Sequence, residues 1–120
     1  MIRFTRLPML LGIALVVPAV PTNARGTAGL QLVNATGQSF SNLYIRRTGT
    51  QSWQPLAATP AKPPTGGKAS ASFTDPDCAF DLKVTLEDTH EVVWSGVNLC
   101  EVKSVTLNRN ASGALWVDYD

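Results

Sequence analysis

Hydrophobic and polar residues alternate along most recognisable segments of this chain, a pattern typical of half-buried β-strands and not of helices. The clearest run covers residues 80–87. Its inward side chains are predicted to be Phe80, Leu82, Val84 and Leu86, and its outward ones Asp81, Lys83, Thr85 and Glu87. About seven such short strands, separated by turn sequences, predict an all-β domain. We expect an antiparallel β-sandwich, Ig-like or similar, with a small barrel as the alternative.

A β-hairpin is predicted around a three-residue connection at residues 88–90. With the turn centred there, Trp94 lies beside Val84 and Val92 beside Leu86. Aromatic and aliphatic pairs of this kind stabilise neighbouring strands. The register is therefore a testable expectation of the sequence.

The two cysteines of the chain, Cys78 and Cys100, bracket this hairpin and face each other in the same register. Gly96 is expected to break or bulge the return strand between them. In an exported chain, two cysteines most simply form one disulfide. Closing a loop of about 23 residues would stabilise the fold by about 3 kcal/mol. Two unpaired buried thiols are the alternative.

Residues 55–67 interrupt the alternating pattern with four prolines and two glycines. Such a composition predicts a surface loop and no regular element. A loop of this length is either functional or disordered. Because it carries few groups that could bind a ligand, we predict disorder.

An export signal is predicted at the start of the chain. Arg3 and Arg6 precede an apolar stretch over residues 7–20, and a small-residue cleavage site ends at Ala24. A second cleavage site is offered by residues 26–28. A membrane anchor is the alternative, but the stretch is shorter than the ~20 apolar residues that span a bilayer.

This interpretation divides the chain into a signal peptide, residues 1–24, and one domain, residues 25–120. The predicted location is the periplasm or the exterior of the cell, with no membrane span after cleavage. Loss of Arg3 and Arg6 from a chain with 10 basic and 9 acidic residues leaves a net charge near −1. Nucleic acid is not an expected partner, because it requires a clustered basic surface.

The spacing of several short motifs resembles a family of small exported bacterial β-domain proteins, mostly of unassigned function. The motifs are Asn34-x-Thr36-Gly37, Leu43-Tyr44, Ser52-Trp53, Cys78-x-Phe80-Asp81-Leu82-Lys83-Val84, Trp94, Asn98-Leu99-Cys100 and Thr106-Leu107. The resemblance implies an exported β-domain and brings no established reaction. Where the family has an Asp-Gly hairpin tip and a short ordered run after Trp53, this chain has residues 88–90 and the proline-rich segment.

No catalytic constellation is visible. His90 is the only histidine, and at a hairpin turn we expect it to be an exposed polar residue. Nucleophilic catalysis needs a histidine held by an orienting partner, and zinc needs three or four ligands. The sequence therefore predicts a protein that is not an enzyme and has no cofactor, with a hydrolase that pairs His90 with a carboxylate as the remaining alternative.

Three aspartates near the start of the hairpin, Asp75, Asp77 and Asp81, are candidate calcium ligands. Calcium takes six to eight oxygens, often from acidic loops. However, Asp-Pro-Asp is also a common turn sequence in which aspartate caps its own backbone. A calcium-binding or small-ligand module using these residues is the alternative function.

Aromatic residues that fall off the inward stripe are the stronger candidates for binding. Tyr44, Trp53 and Trp116 are the aromatics, and Arg46 shares the outward face of Tyr44. Exposed Trp, Tyr and Arg are enriched in binding hot spots. The alternative is that the sandwich covers these rings. We predict a non-enzymatic binding module of the bacterial cell envelope, whose partner is another envelope protein or a saccharide and whose oligomeric state is left open.

Overall fold

The structure is a computed structural model and describes residues 29–120. The predicted signal peptide and both cleavage sites lie outside the described residues. Nine β-strands and no helix form in this part of the chain. The strands are β1 (Leu30–Ala35), β2 (Phe40–Arg47), β3 (Gln54–Pro55), β4 (Ala57–Thr59), β5 (Lys68–Ser72), β6 (Ala79–Leu86), β7 (Glu91–Asn98), β8 (Ser104–Arg109) and β9 (Leu115–Tyr119).

The strands form two sheets, with the orders β4-β5-β1-β8-β9 and β3-β2-β6-β7. Neighbouring strands are antiparallel except for β1 and β8, which are parallel. The predicted all-β sandwich is confirmed, with nine strands in place of seven and with one parallel pair. Over residues 29–120, no helix has the length and apolar character needed to cross a membrane.

Alternation places one face of each sheet in a shared core. Leu82, Val84 and Leu86 of β6 have no exposed surface, as the pattern of residues 80–87 predicts. Fully burying one such side chain stabilises a fold by roughly 1.5–3 kcal/mol. Near the base of β6, the rings of Phe73 and Phe80 pack edge to face with centroids 5.4 Å apart.

The turn between β6 and β7 lies one residue earlier than predicted. Leu86 donates its N–H to the carbonyl of His90 at 2.8 Å, and Thr89 donates to the carbonyl of Leu86 at 2.9 Å. The connection is therefore residues 87–89, and it ends at Thr89 with a φ of +73°. A turn followed by one left-handed residue is a usual geometry for a three-residue hairpin loop.

This shift makes the predicted cross-strand pairs wrong. Trp94 lies opposite Leu82, and Val92 lies opposite Val84. Moving the turn by one residue moves every partner by two, because both strands shift relative to the turn centre. The inward faces stay the same, since a two-residue shift preserves the alternation of a strand.

A β-bulge shifts the register by one residue before the cysteines are reached. Asp81 of β6 lies opposite two residues of β7, Ser95 and Gly96, so the predicted irregularity at Gly96 is confirmed. Beyond the bulge, Ala79 lies opposite Asn98, one residue short of the predicted register that pairs Cys78 with Cys100. The Cα atoms of the two cysteines are nevertheless 4.9 Å apart, and their sulfurs form the predicted disulfide. The disulfide thus closes the base of the hairpin.

The proline-rich segment 55–67 is ordered, which contradicts the predicted disorder. It contains β4 and continues from β3, so the chain moves from one sheet to the other within it. Pro63 is buried, and its carbonyl accepts the N–H of Phe40 at 3.1 Å. A segment with buried backbone groups of this kind is held by hydrogen bonds that composition does not reveal.

Asn34 explains why this segment takes one conformation. Its side chain is fully buried and donates Nδ2–H to the carbonyls of Pro63 at 3.0 Å and Gln38 at 2.8 Å. Its Oδ1 accepts the backbone N–H of Thr36 at 3.0 Å. The backbone of Asn34 also bonds to Gly66 and Gly67. One buried amide therefore joins the β1–β2 turn to the proline-rich segment.

We expect Asn34→Ala to lower the free energy of unfolding by about 2 kcal/mol, because a buried amide loses its hydrogen bonds to the carbonyls of Pro63 and Gln38 and to the N–H and hydroxyl of Thr36. Urea unfolding of the protein measures this change. Asn42→Ala, at an exposed position of β2, is the matched control. An equal and small effect of the two substitutions would show that Asn34 does not hold the segment.

Candidate functional site

The outer face of the four-stranded sheet gathers most of the predicted binding residues. Tyr44 and Arg46 lie on β2, and their direct neighbours on β6 are Lys83 and Asp81 respectively. Trp53 comes from the segment before β3. We define Tyr44, Arg46, Trp53 and Lys83 as the aromatic-basic face.

A tight turn after β2 brings Trp53 onto this face. The carbonyl of Arg47 accepts the N–H of Thr50 at 3.1 Å and its hydroxyl at 2.7 Å. Gly49 supplies the left-handed backbone, with a φ of +92°. The antiparallel register of β2 and β3, continued by one residue, then places Trp53 beside Arg46.

Two cations lie close to the indole ring. The guanidinium carbon of Arg46 is 4.2 Å from the centroid of Trp53, and Nζ of Lys83 is 4.7 Å from it. The same ammonium is 5.1 Å from the centroid of Tyr44. Each cation–π contact at a partly exposed site contributes about 0.5–1 kcal/mol. All four side chains of the aromatic-basic face are half-buried. They pack against one another, and part of each group stays open to solvent.

Asp81 is buried beside the aromatic-basic face, and its hydrogen bond with Arg46 holds that guanidinium in position. The sequence predicts an outward, solvent-facing carboxylate, but Asp81 is only 3% exposed. It accepts hydrogen bonds from Nε of Arg46 at 2.9 Å, from the hydroxyl of Thr48 at 2.8 Å and from the N–H of Gly96 at 3.0 Å. The bulge opposite Asp81 is the reason for the difference, because it turns a backbone N–H toward the carboxylate.

The ionisation of Asp81 follows from these contacts. Burial alone would raise its pKa, but the hydrogen bonds from Gly96, Thr48 and Arg46 together outweigh burial and hold the pKa below its usual value of 3.8. Asp81 is therefore an anion at neutral pH, and the charge of Arg46 is compensated within the fold.

The positive charge of Lys83, unlike that of Arg46, is not compensated by a carboxylate of residues 29–120. Within the described chain, its ammonium contacts the rings of Tyr44 and Trp53 and forms no ion pair with a carboxylate. A cation–π contact leaves ammonium hydrogens available to an acceptor. The aromatic-basic face thus carries one uncompensated positive charge next to two rings.

A groove of about 810 Å³ adjoins this face at the side of the sandwich formed by β2, β3 and β5. Arg46 lines both the groove and the face, so the two surfaces are continuous. Apolar side chains in its lining are Ile45, Leu56, Phe73 and Phe80, and polar ones include Thr50, Ser52, Gln54, Ser72 and Thr74. The volume lies within the range of about 300–1,000 Å³ that is typical of ligand sites.

Trp116 does not belong to this site. It lies on β9, in the other sheet, opposite Asn108 and is 46% exposed. With Trp94 and Tyr119 it lines a separate cavity of about 400 Å³ where β7 and β9 approach each other. Of the three predicted aromatic candidates, the structure therefore brings together Tyr44 and Trp53 and leaves Trp116 elsewhere.

The candidate calcium ligands have different partners. Asp75 binds the guanidinium of Arg47 at 2.7 and 2.8 Å, whereas Asp81 is buried at the bulge. Asp77 lies 3.6 Å from the same guanidinium. Across residues 29–120, no three His, Cys, Asp or Glu side chains form a group that could hold a metal ion. His90 is exposed at the hairpin turn, and its Nδ1 is 3.0 Å from Asp88.

Sequence reasoning missed the contacts of Lys83 and did not predict the burial of Asp81. Both lie on the outward stripe of β6, and only the pairing of β2 with β6 shows that they adjoin Tyr44 and Arg46. The outward position of Lys83 was visible as alternation, but nothing local to β6 indicates its partners.

The chain matches no protein-family model and no curated protein. Among solved structures, it is similar to the NMR structure of a protein from Eubacterium rectale, with a TM-score of 0.50 and 12% sequence identity. The similarity covers 76% of this chain and 85% of that one. At this identity the likeness concerns the fold alone.

Proposed function

We propose that the protein is a non-enzymatic binding module of the bacterial cell envelope and that it binds through the aromatic-basic face. The proposed location is the periplasm or the exterior of the cell. The Cys78–Cys100 disulfide supports an extracytoplasmic site, because such bonds persist mainly in oxidising compartments.

One observation carries the proposal. Trp53 and Tyr44 lie together with Lys83 and Arg46 on the outer face of one sheet, where they do not contribute to the core. Trp, Tyr and Arg provide most of the binding energy at protein interfaces because they combine large apolar area with polar groups. The turn at Gly49 and the buried carboxylate of Asp81 hold these side chains in place before any ligand arrives. Preorganisation of this kind lowers the entropic cost of binding.

We expect Trp53→Ala to reduce envelope association at least tenfold without unfolding the domain. The tagged mature protein would be crosslinked in intact cells, and the crosslinked share would be quantified in the envelope fraction. Trp116→Ala is the matched control, since it removes an exposed tryptophan from the other sheet. The control is expected to keep the association of the native protein.

Equal association of the native protein, Trp53→Ala and Trp116→Ala would contradict the proposal, provided that thermal unfolding shows all three folded. Loss in the Trp116 variant alone would instead place the binding surface at the β7–β9 edge.

A further inference from the structure

We infer that the aromatic-basic face binds an acidic saccharide, with sugar rings packed against Trp53 and Tyr44 and a carboxylate bound by the ammonium of Lys83. This inference rests on the proposed function and names the chemical class of its ligand. It adds Lys83 as the residue that determines specificity.

The charges on the face favour an anion. Arg46 is neutralised by Asp81, which is buried and accepts its Nε–H at 2.9 Å. Lys83 has no carboxylate partner within residues 29–120. An anionic group placed beside this ammonium gains a charge-assisted hydrogen bond, which is stronger than a bond between neutral groups.

The rings and the groove favour a saccharide over an apolar peptide. A pyranose ring has one face of C–H groups that packs on an aromatic ring and an edge of hydroxyls that needs hydrogen-bond partners. Around the adjoining groove, Ser52, Gln54 and Thr74 carry hydroxyl and amide groups that suit that edge, and the charged lining residues Arg47 and Asp75 form an ion pair with each other. Because Arg46 lines both surfaces, a ligand of several sugar units can cover the face and continue into the groove.

Titration calorimetry with short acidic oligosaccharides tests this inference. The probes are oligomers of galacturonate, glucuronate and mannuronate, each compared with its methyl ester, which keeps the sugar and removes the charge. We expect the mature protein to bind at least one acid form and to bind the ester at least tenfold more weakly.

Variants of two lysines locate the anion. Lys83→Gln removes the positive charge and keeps a polar side chain, and it is expected to weaken binding of the acid form at least tenfold, with little change for the ester. Lys68→Gln, at an exposed position on β5 in the other sheet, is expected to change the Kd less than twofold. Trp53→Ala is expected to weaken both forms.

The inference is overturned if no uronate oligomer binds, if acid and ester bind equally, or if the two lysine variants behave alike. Its failure can be separated from that of the proposed function. If envelope crosslinking still depends on Trp53 while no uronate binds, the face recognises a protein. If crosslinking is also independent of Trp53, both proposals are wrong.

Discussion

Asp81→Ala is expected to lower the free energy of unfolding by about 3 kcal/mol, because three hydrogen bonds to a buried carboxylate are lost. The carboxylate satisfies the guanidinium of Arg46, the hydroxyl of Thr48 and the N–H of Gly96. Removing it leaves the bulge donor without an acceptor and frees Arg46 from its place under the indole of Trp53. Urea unfolding measures the loss of stability. Glu87→Ala, at an exposed acidic residue, is the control and should change stability by less than about 0.5 kcal/mol.

The same carboxylate predicts how stability depends on pH. Its pKa is lowered in the folded state, so its contribution is fully present above the usual pKa of 3.8 and is lost as the pH falls through the folded-state value. Asp81→Asn should therefore be less stable than the native protein at pH 6, and the difference should shrink on acidification below pH ~4. A difference that stays constant from pH 6 to pH 2.5 would show that Asp81 is not stabilised as an anion.

Replacing Cys78 and Cys100 together with alanine is expected to cost about 3 kcal/mol of stability. The disulfide joins the base of the β6–β7 hairpin across a separation of 22 residues, immediately beyond the bulge. Without it, the unfolded chain gains conformational freedom, and the loss is large against the roughly 5–15 kcal/mol that stabilises a typical domain.

Thermal unfolding with and without a reductant measures this contribution. Reduction of the native protein should lower its melting temperature to near that of the double variant, which should itself not respond to the reductant. An unchanged melting temperature in both comparisons would mean that the disulfide does not contribute to stability.

The features of the fold that could be predicted are those that follow from the alternation of hydrophobic and polar residues along the strands. The inward stripe of β6 and the partnership of the two cysteines follow from side-chain spacing alone, and the structure confirms both. The register of β6 against β7 was not predictable, because it depends on whether the turn is centred at Asp88 or at Thr89. Thr89 adopts a positive φ, which is not expected of a threonine. The order in residues 55–67 was hidden for a similar reason, since it comes from Asn34, more than 20 residues away.

The candidate site was predictable only in part. Tyr44, Arg46 and Trp53 share one face because of short-range geometry, namely alternation along β2 and the turn at Gly49. The contribution of Lys83 depends on the pairing of two strands that are almost 40 residues apart in sequence, and no local pattern records that pairing.

The three tryptophans allow one measurement that tests the binding surface directly. Each gives an indole N–H signal in a ¹H–¹⁵N spectrum of the protein. Trp53 reports on the aromatic-basic face and Trp116 on the other sheet. Trp94 is an internal reference, because its indole N–H is buried and donates to the carbonyl of Asn108 at 3.0 Å. We predict that titration with a solubilised cell-envelope fraction shifts or broadens the Trp53 signal and leaves the other two unchanged. A change confined to Trp116, or no change at all, would contradict binding through this face.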